Sequence, residues 1–181
     1  MAQTKDDSFM TNRAAAPKIP EDETGDPHIE IGGMRIDILE GAFSYYIRSL
    51  DAVVSRDLDR RMADLEVAKG KGKITTLFLV DDYPGVRPSQ IADVLMRDRP
   101  ATGRIIDRLV SAGDIRRETS TEDQRAQALY ITDKGHALAE KVRGIIRAQE
   151  AEFFDFIAPE DRDQFMQMLK RVYLNMRAKW D

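Results

Sequence analysis

The chain has 181 residues, 42% hydrophobic and 33% charged, enough for one substantial domain or a small domain joined to an oligomerisation element. It contains no cysteine and two histidines, His28 and His136, which excludes disulfides, thiol nucleophiles, thiol redox sensing and thiolate zinc sites, so neither a metal nor a cofactor is expected. The net charge of −4 argues weakly against nucleic acid as an average, and no apolar run approaches the ~20 residues of a membrane span; a cytoplasmic protein without membrane contact is expected.

Residues 1–33 combine prolines, small residues and the acidic run EDETGD with little apolar periodicity, and are expected to be a flexible tail. From Met34 the pattern turns helical: Ile36, Leu39, Phe43, Tyr46, Ile47, Leu50, Val53, Val54, Leu58 and Met62 recur at steps of three and four. This predicts one long amphipathic helix within 34–70. The segment KGKGK at 69–73 breaks it, and ITTLFLVDDY reads as a short buried helix stopped by Pro84 and Gly85.

Two short helical units follow. In RPSQIADVL, Pro88 suits a first helical turn and Ile91, Ala92, Val94 and Leu95 supply the apolar face. After MRDR, Pro100 again suits a first turn, and Ile105, Ile106, Leu109 and Val110 form a stripe that ends at Gly113. Two short helices with a tight connection make a helix-turn-helix candidate. In the second, Thr102, Arg104, Arg108 and Ser111 are expected to point away from the core, Thr102 and Gly103 being small enough to let the backbone approach a groove.

DIRRETS and QALYIT then read as two strands, with Leu129 and Ile131 facing inward and Ser120 to Arg125 as the charged tip between them. Thr132 is a candidate N-cap for the next helix. From Asp133 the C-terminal region carries Leu138, Val142, Ile145, Ile146, Phe153, Phe154 and Ile157, a break at APEDRDQ, then Phe165, Met168, Leu169, Val172, Tyr173, Met176 and Trp180. The fold class expected is mainly α with a small β-hairpin wing. Long apolar-faced helices at both ends exceed what a unit of about 60 residues can cover, which suggests a helical dimer interface with the winged unit between its helices. The division expected is therefore 1–33, 34–70, 71–132 and 133–181: tail, N-terminal dimerisation helix, winged helix-turn-helix, C-terminal dimerisation helices.

Between Arg87 and Ala128 every basic residue is an arginine: Arg87, Arg97, Arg99, Arg104, Arg108, Arg116, Arg117 and Arg125. The planar guanidinium fork matches phosphates and guanine edges better than an ammonium does. The stretch 87–135 resembles the MarR family of transcriptional regulators, through a positioning helix, a recognition helix ending in Leu109, Ala112, Gly113, Ile115 and Arg117, a wing with Asp123-Gln124-Arg125, and Ile131-Thr132-Asp133-Lys134-Gly135. Asp114 departs from the family's hydrophobic residue after the glycine, leaving Ile115 to make the apolar contact.

That resemblance implies a homodimer on double-stranded DNA, with recognition helices in successive major grooves about 34 Å apart on a pseudo-palindromic operator. Arg125 would enter the minor groove, oriented by Asp123. The expected DNA contacts are Arg87, Ser89, Arg97, Arg99, Pro100, Thr102, Gly103, Arg104, Arg108, Asp123 and Arg125, with Thr102 and Arg104 on base edges and Arg99 and Arg108 on phosphates. Repression relieved by a small, often aromatic, effector is also implied, with Tyr45, Tyr46 and Arg48 as candidate lining. An enzyme is not expected: no nucleophile and base are paired in the sequence, and GKGK at 70–73 lacks the spacing of a phosphate loop. The competing function is a dimeric winged-helix adaptor that makes protein contacts without DNA.

Overall fold

The computed structural model describes residues 21, 28–36, 39, 41–65, 67, 70–119 and 127–179. They form α1 (Phe43–Arg61), α2 (Lys71–Asp82), α3 (Pro88–Leu95), α4 (Arg99–Ser111), α5 (Asp133–Phe153) and α6 (Pro159–Arg177), with strands β1 (Glu30–Ile31), β2 (Met34–Arg35), β3 (Ile115–Thr119) and β4 (Gln127–Ile131). The protein is mainly α with a small antiparallel hairpin. It divides into two compact units, one made of 1–47 and 150–181, the other of 48–149.

The central unit, 48–149, is built on α2, α3 and α4. Leu77 and Val80 of α2, Ile91 of α3, Ile106 and Leu109 of α4, Ile115 and Leu129 are almost completely buried in one cluster. Each such side chain contributes about 1.5–3 kcal/mol relative to exposure. The α3–α4 turn is set by local chemistry. Met96 closes α3 in the left-handed conformation (φ 51°), and the Arg97 N–H bonds to the Ala92 carbonyl at 3.1 Å. Asp98 then caps α4, its carboxylate accepting from the Ala101 N–H at 2.6 Å. At the far end Gly113 (φ 76°) turns the chain into β3.

β3 and β4 pair antiparallel, with Ile115 opposite Ile131 and Arg117 opposite Leu129. Val86 adds a bridge to Leu129, so a third chain segment joins the hairpin's base. In β4, Ala128 and Leu129 are both buried while Ile131 is half-buried, rather than Leu129 and Ile131 alone facing inward. Successive strand residues face opposite ways, so both sides of β4 are covered here. The Asp123 and Arg125 wing tip lies outside the described residues.

The start of α5 is fastened to the end of α4. The Thr132 hydroxyl accepts from the Gly135 N–H at 3.0 Å, as an N-cap should, and lies within hydrogen-bond reach of the Gly113 and Asp114 carbonyls. A Cβ at Gly135 would stand 1.9 Å from the Asp114 carbonyl oxygen, so this contact requires glycine. Asp114 is buried, with the Lys134 ammonium 3.2 Å from its carboxylate, while Ile115 makes the apolar contact. An acid is thus accommodated at that position by a counter-charge from the next helix.

Further along, α5 is fixed to α2 by charge. Arg143 donates to Asp81 at 2.5 Å, to Asp82 at 2.7 Å and to Glu140 at 2.8 Å, and lies over the Phe78 ring. His136 Nδ1 is 2.7 Å from the second Asp81 oxygen. Burial pushes the Asp81 carboxyl up, but the hydrogen bonds from His136 and Arg143 outweigh it and hold the group below its usual range. The Asp81 carboxylate in turn raises the His136 pKa. A second seam joins α1 to α5: Arg61, Gln149 and Arg60 all donate to buried Asp57, holding its pKa at about 2 against the effect of burial, with Arg61 the largest influence.

In the other unit, β1 and β2 form a minimal hairpin, Ile31 opposite Met34, around Gly32 (φ 62°) and Gly33 (φ 76°). Two consecutive positive φ values suit a tight hairpin turn and are costly for other residues. The long helix expected from Met34 therefore begins at Phe43, because this turn takes Met34 and Arg35 into a strand. In the same unit Pro159 opens α6, a 19-residue helix with no buried residue. Its Phe165, Met168, Leu169, Val172, Tyr173 and Met176 are exposed within this chain.

Candidate nucleic-acid interface

The two faces of α4 differ sharply. One carries Ile106 and Leu109 into the core, flanked by half-buried Ile105 and Val110. The opposite face is open. Arg99, Pro100, Arg104 and Arg108 are exposed, and a Cβ at Gly103 would meet no atom within 4 Å. Arg97 in the preceding turn and Arg87 at the start of α3 are also exposed, and Ser89 is half-buried.

Thr102 departs from expectation. Its side chain is 1% exposed and lies on the core face, four residues before Ile106 and seven before Leu109. That spacing was the signal available in the sequence. A side chain buried there cannot reach a base edge, so Thr102 is a packing residue and Arg104 remains as the reading candidate of that turn.

Charge separates the arginines further. Arg117 donates to Asp107 of α4 at 2.5 Å, joining the second helix to the hairpin, and Arg116 pairs with Glu118 and lies 4.8 Å from the Tyr130 ring centroid. The sequence reading gave neither residue a site role. The Arg117–Asp107 pair bridges ten positions and carries no local signature. Among the described residues, Arg97, Arg99, Arg104 and Arg108 have no carboxylate partner. Arg97 and Arg108 turn to the flank, where with Asp59, Gly70, Gly72, Lys73 and Ile105 they line a cavity of about 400 Å³.

Tyr45 and Tyr46 are half-buried, with ring centroids 5.3 Å apart and edge-to-face, and Arg48 is exposed. The cavities described in the central unit are lined by other residues. Among the described residues no three His, Cys, Asp or Glu side chains are grouped to hold a metal ion, and no helix is long and apolar enough to cross a membrane.

Residues 72–126 match the MarR family model. Over that stretch the chain is similar to the MarR family. Solved structures give the same fold across most of the chain. A MarR-family transcriptional regulator from Listeria monocytogenes, solved with a 26-mer DNA, is 20% identical over 76% of this chain and 91% of its own, with a TM-score of 0.70. The transcriptional repressor CouR, bound to a 23-mer duplex, is 23% identical over 77% and 98%, TM-score 0.70. A MarR protein from Peptoclostridium difficile is 22% identical over 86% and 97%, TM-score 0.70. The matched stretch holds the α3–α4 pair, with α4 as the helix whose outer face is open.

Proposed function

We propose that this protein is a transcriptional regulator that binds double-stranded DNA sequence-specifically, as a homodimer on a pseudo-palindromic operator, and represses until a small ligand releases it. The observation that carries the reading is the outer face of α4, where exposed arginines without acidic partners surround the small, open surface at Gly103. Such a helix can enter a groove and offer its full charge to phosphates and guanine edges. In this reading Arg104 contacts a base edge, Arg99 and Arg108 contact phosphates, and Arg125, steadied by Asp123, reaches the minor groove from the wing. Arg87, Ser89, Arg97, Pro100 and Gly103 complete the contact surface.

Homodimerisation is supported by the apolar residues that α6 leaves exposed in a single chain. DNA binding is supported by the two similar proteins solved with duplexes. Tyr45, Tyr46 and Arg48 remain the proposed effector-binding residues.

The test is a gel-shift titration on the promoter region beside the protein's own gene at several salt concentrations. The expected result is saturable, salt-sensitive binding with one dimer per site, weakened in Arg104→Ala and in Arg125→Ala without loss of fold. Absence of binding at any salt concentration, with the dimer intact, would instead favour the adaptor function.

A further inference from the structure

The end of α4 carries a charge where helix closure ordinarily uses an apolar side chain. The Gly113 N–H bonds to the Val110 carbonyl at 2.9 Å and the Asp114 N–H to the Leu109 carbonyl at 3.0 Å, with Gly113 at φ 76°. In this two-bond closure the residue after the glycine commonly packs on the residue whose carbonyl it holds, here Leu109. Asp114 stands in that place, 1% exposed, and offers a carboxylate instead. Among the described residues no hydrogen bond reaches its carboxylate oxygens, and the Lys134 ammonium, 3.2 Å away, is the charge that compensates it.

We propose that Asp114 and Lys134 are a positioning pair for DNA binding: the ammonium, carried by the first turn of α5, holds the last turn of α4 closed and so fixes where Arg108 stands. The bearing on DNA rests on the proposed function; the closure of the helix end does not.

Lys134 is placed for α4 rather than for its own helix. A cation in a first turn opposes the helix macrodipole, whereas one at a C-terminus is favoured by the free carbonyls. Lys134 lies in the first turn of α5 and donates to the Ala112 carbonyl at the end of α4, at 2.5 Å. One cation thus answers both a terminal carbonyl of α4 and the buried acid.

The neighbouring backbone contacts stop short of the helix. The Thr132 N–H bonds to the Asp114 carbonyl at 3.1 Å, and Gly135 lets α5 approach that same oxygen. Among the described residues, the Lys134 bond is the contact from α5 that reaches Ala112 itself. The Ala112 N–H in turn bonds to the Arg108 carbonyl at 2.9 Å, so opening this turn displaces Arg108. Lys134 makes a further interaction besides these two, so the role assigned is its coupling to Asp114, which a double-mutant cycle isolates.

The experiment compares the full-length parent with Lys134→Met, Asp114→Leu, the double variant and the charge-keeping Lys134→Arg; Lys134→Gln replaces Lys134→Met if the latter does not fold. Without DNA, hydrogen exchange is followed at the amides of Ala112, Gly113 and Asp114. Lys134→Met should speed them at least tenfold relative to Val80 of α2. Asp114→Leu, whose side chain can pack on Leu109, should keep the parent's rates, as should the double variant and Lys134→Arg. Acceleration spread equally over the unit overturns the local role, as does exchange that is unchanged in Lys134→Met or still fast in the double variant. In a second arm, gel shifts on the operator give affinity per folded molecule. Lys134→Met should bind at least threefold more weakly, with the salt slope lowered by about one as Arg108 leaves its phosphate, and the double variant should bind like the parent. Affinity lost equally in the double variant, with the α4 amides protected, makes Lys134 itself a DNA contact and overturns the positioning role. Because the first arm contains no DNA, absence of operator binding by the parent counts against the proposed function and leaves the outcome of the first arm standing.

Discussion

Arg143 and Arg104 belong to helices of the same unit and meet opposite surroundings. Arg143 lies in the seam between α2 and α5, its guanidinium divided among Asp81, Asp82 and Glu140 over the Phe78 ring. Arg104 stands on the outer face of α4 with no acidic partner among the described residues. The first charge is consumed within the chain and holds two helices together. The second is available, and at a cost: Arg104 and Arg108, four positions apart on one helix, repel by a few tenths of a kcal/mol. An arginine's role in this protein is therefore read from whether the fold gives it a carboxylate.

The largest effect expected from breaking the contrast is at the seam. Arg143→Met leaves the almost fully buried Asp81 carboxylate without its guanidinium, and stability in urea unfolding should fall by about 3 kcal/mol. Operator affinity per folded molecule should stay unchanged; a loss of affinity exceeding the loss of folded protein would mean that the seam also sets the DNA-contact surface.

Arg104→Ala should behave in the opposite way. Stability should stay within about 0.5 kcal/mol of the parent, while operator binding weakens by about 1–3 kcal/mol and discrimination relaxes at one base position. Competition gel shifts with a panel of single-base operator variants would measure this, and uniform weakening across all of them would make Arg104 a phosphate contact.

Thr102→Val tests the correction on the inner face of α4. The Thr102 hydroxyl is buried without a hydrogen-bond partner among the described residues, so replacing it should change stability by between zero and about 1 kcal/mol in the favourable direction. Operator affinity should not change, and a clear loss would return Thr102 to the contact surface.

The smallest effect concerns pH. His136 has a raised pKa, so its contribution is fully present below the usual 6.5 and is lost as pH rises through the raised value. Asp81 is shifted down, so its contribution is present above the usual 3.8 and is lost as pH falls through the lowered value. The seam is strongest between these limits. The melting temperature should drop from about pH 6 to pH 9 by more in the parent than in His136→Gln. Parallel profiles would show that Arg143 alone holds the seam.

Local features of the α3–α4 pair were legible because they arise from residues close in sequence. Pro88 and Pro100 in first turns, the Ile106–Leu109 stripe and the Thr132 cap each express a preference within one helical turn. The missed features had other origins. Gly32 and Gly33 interrupt a helical apolar pattern that otherwise reads continuously, and backbone freedom there outweighs periodicity. Thr102 sits at the edge of a stripe, where composition suggests solvent but packing decides.

By itself the sequence determined the order of elements from α2 onward, the lack of thiol chemistry and the arginine-only charge of the winged segment, since each follows from residue type and short spacing. The tertiary structure decided which charges are engaged. Asp81 and Arg143 are 62 positions apart, and Asp57 and Gln149 are 92 apart, so no periodicity links them. The cavity joining Asp59, Lys73, Arg97 and Arg108 likewise exists only once three helices pack, because a pocket's charge belongs to the surfaces that meet there.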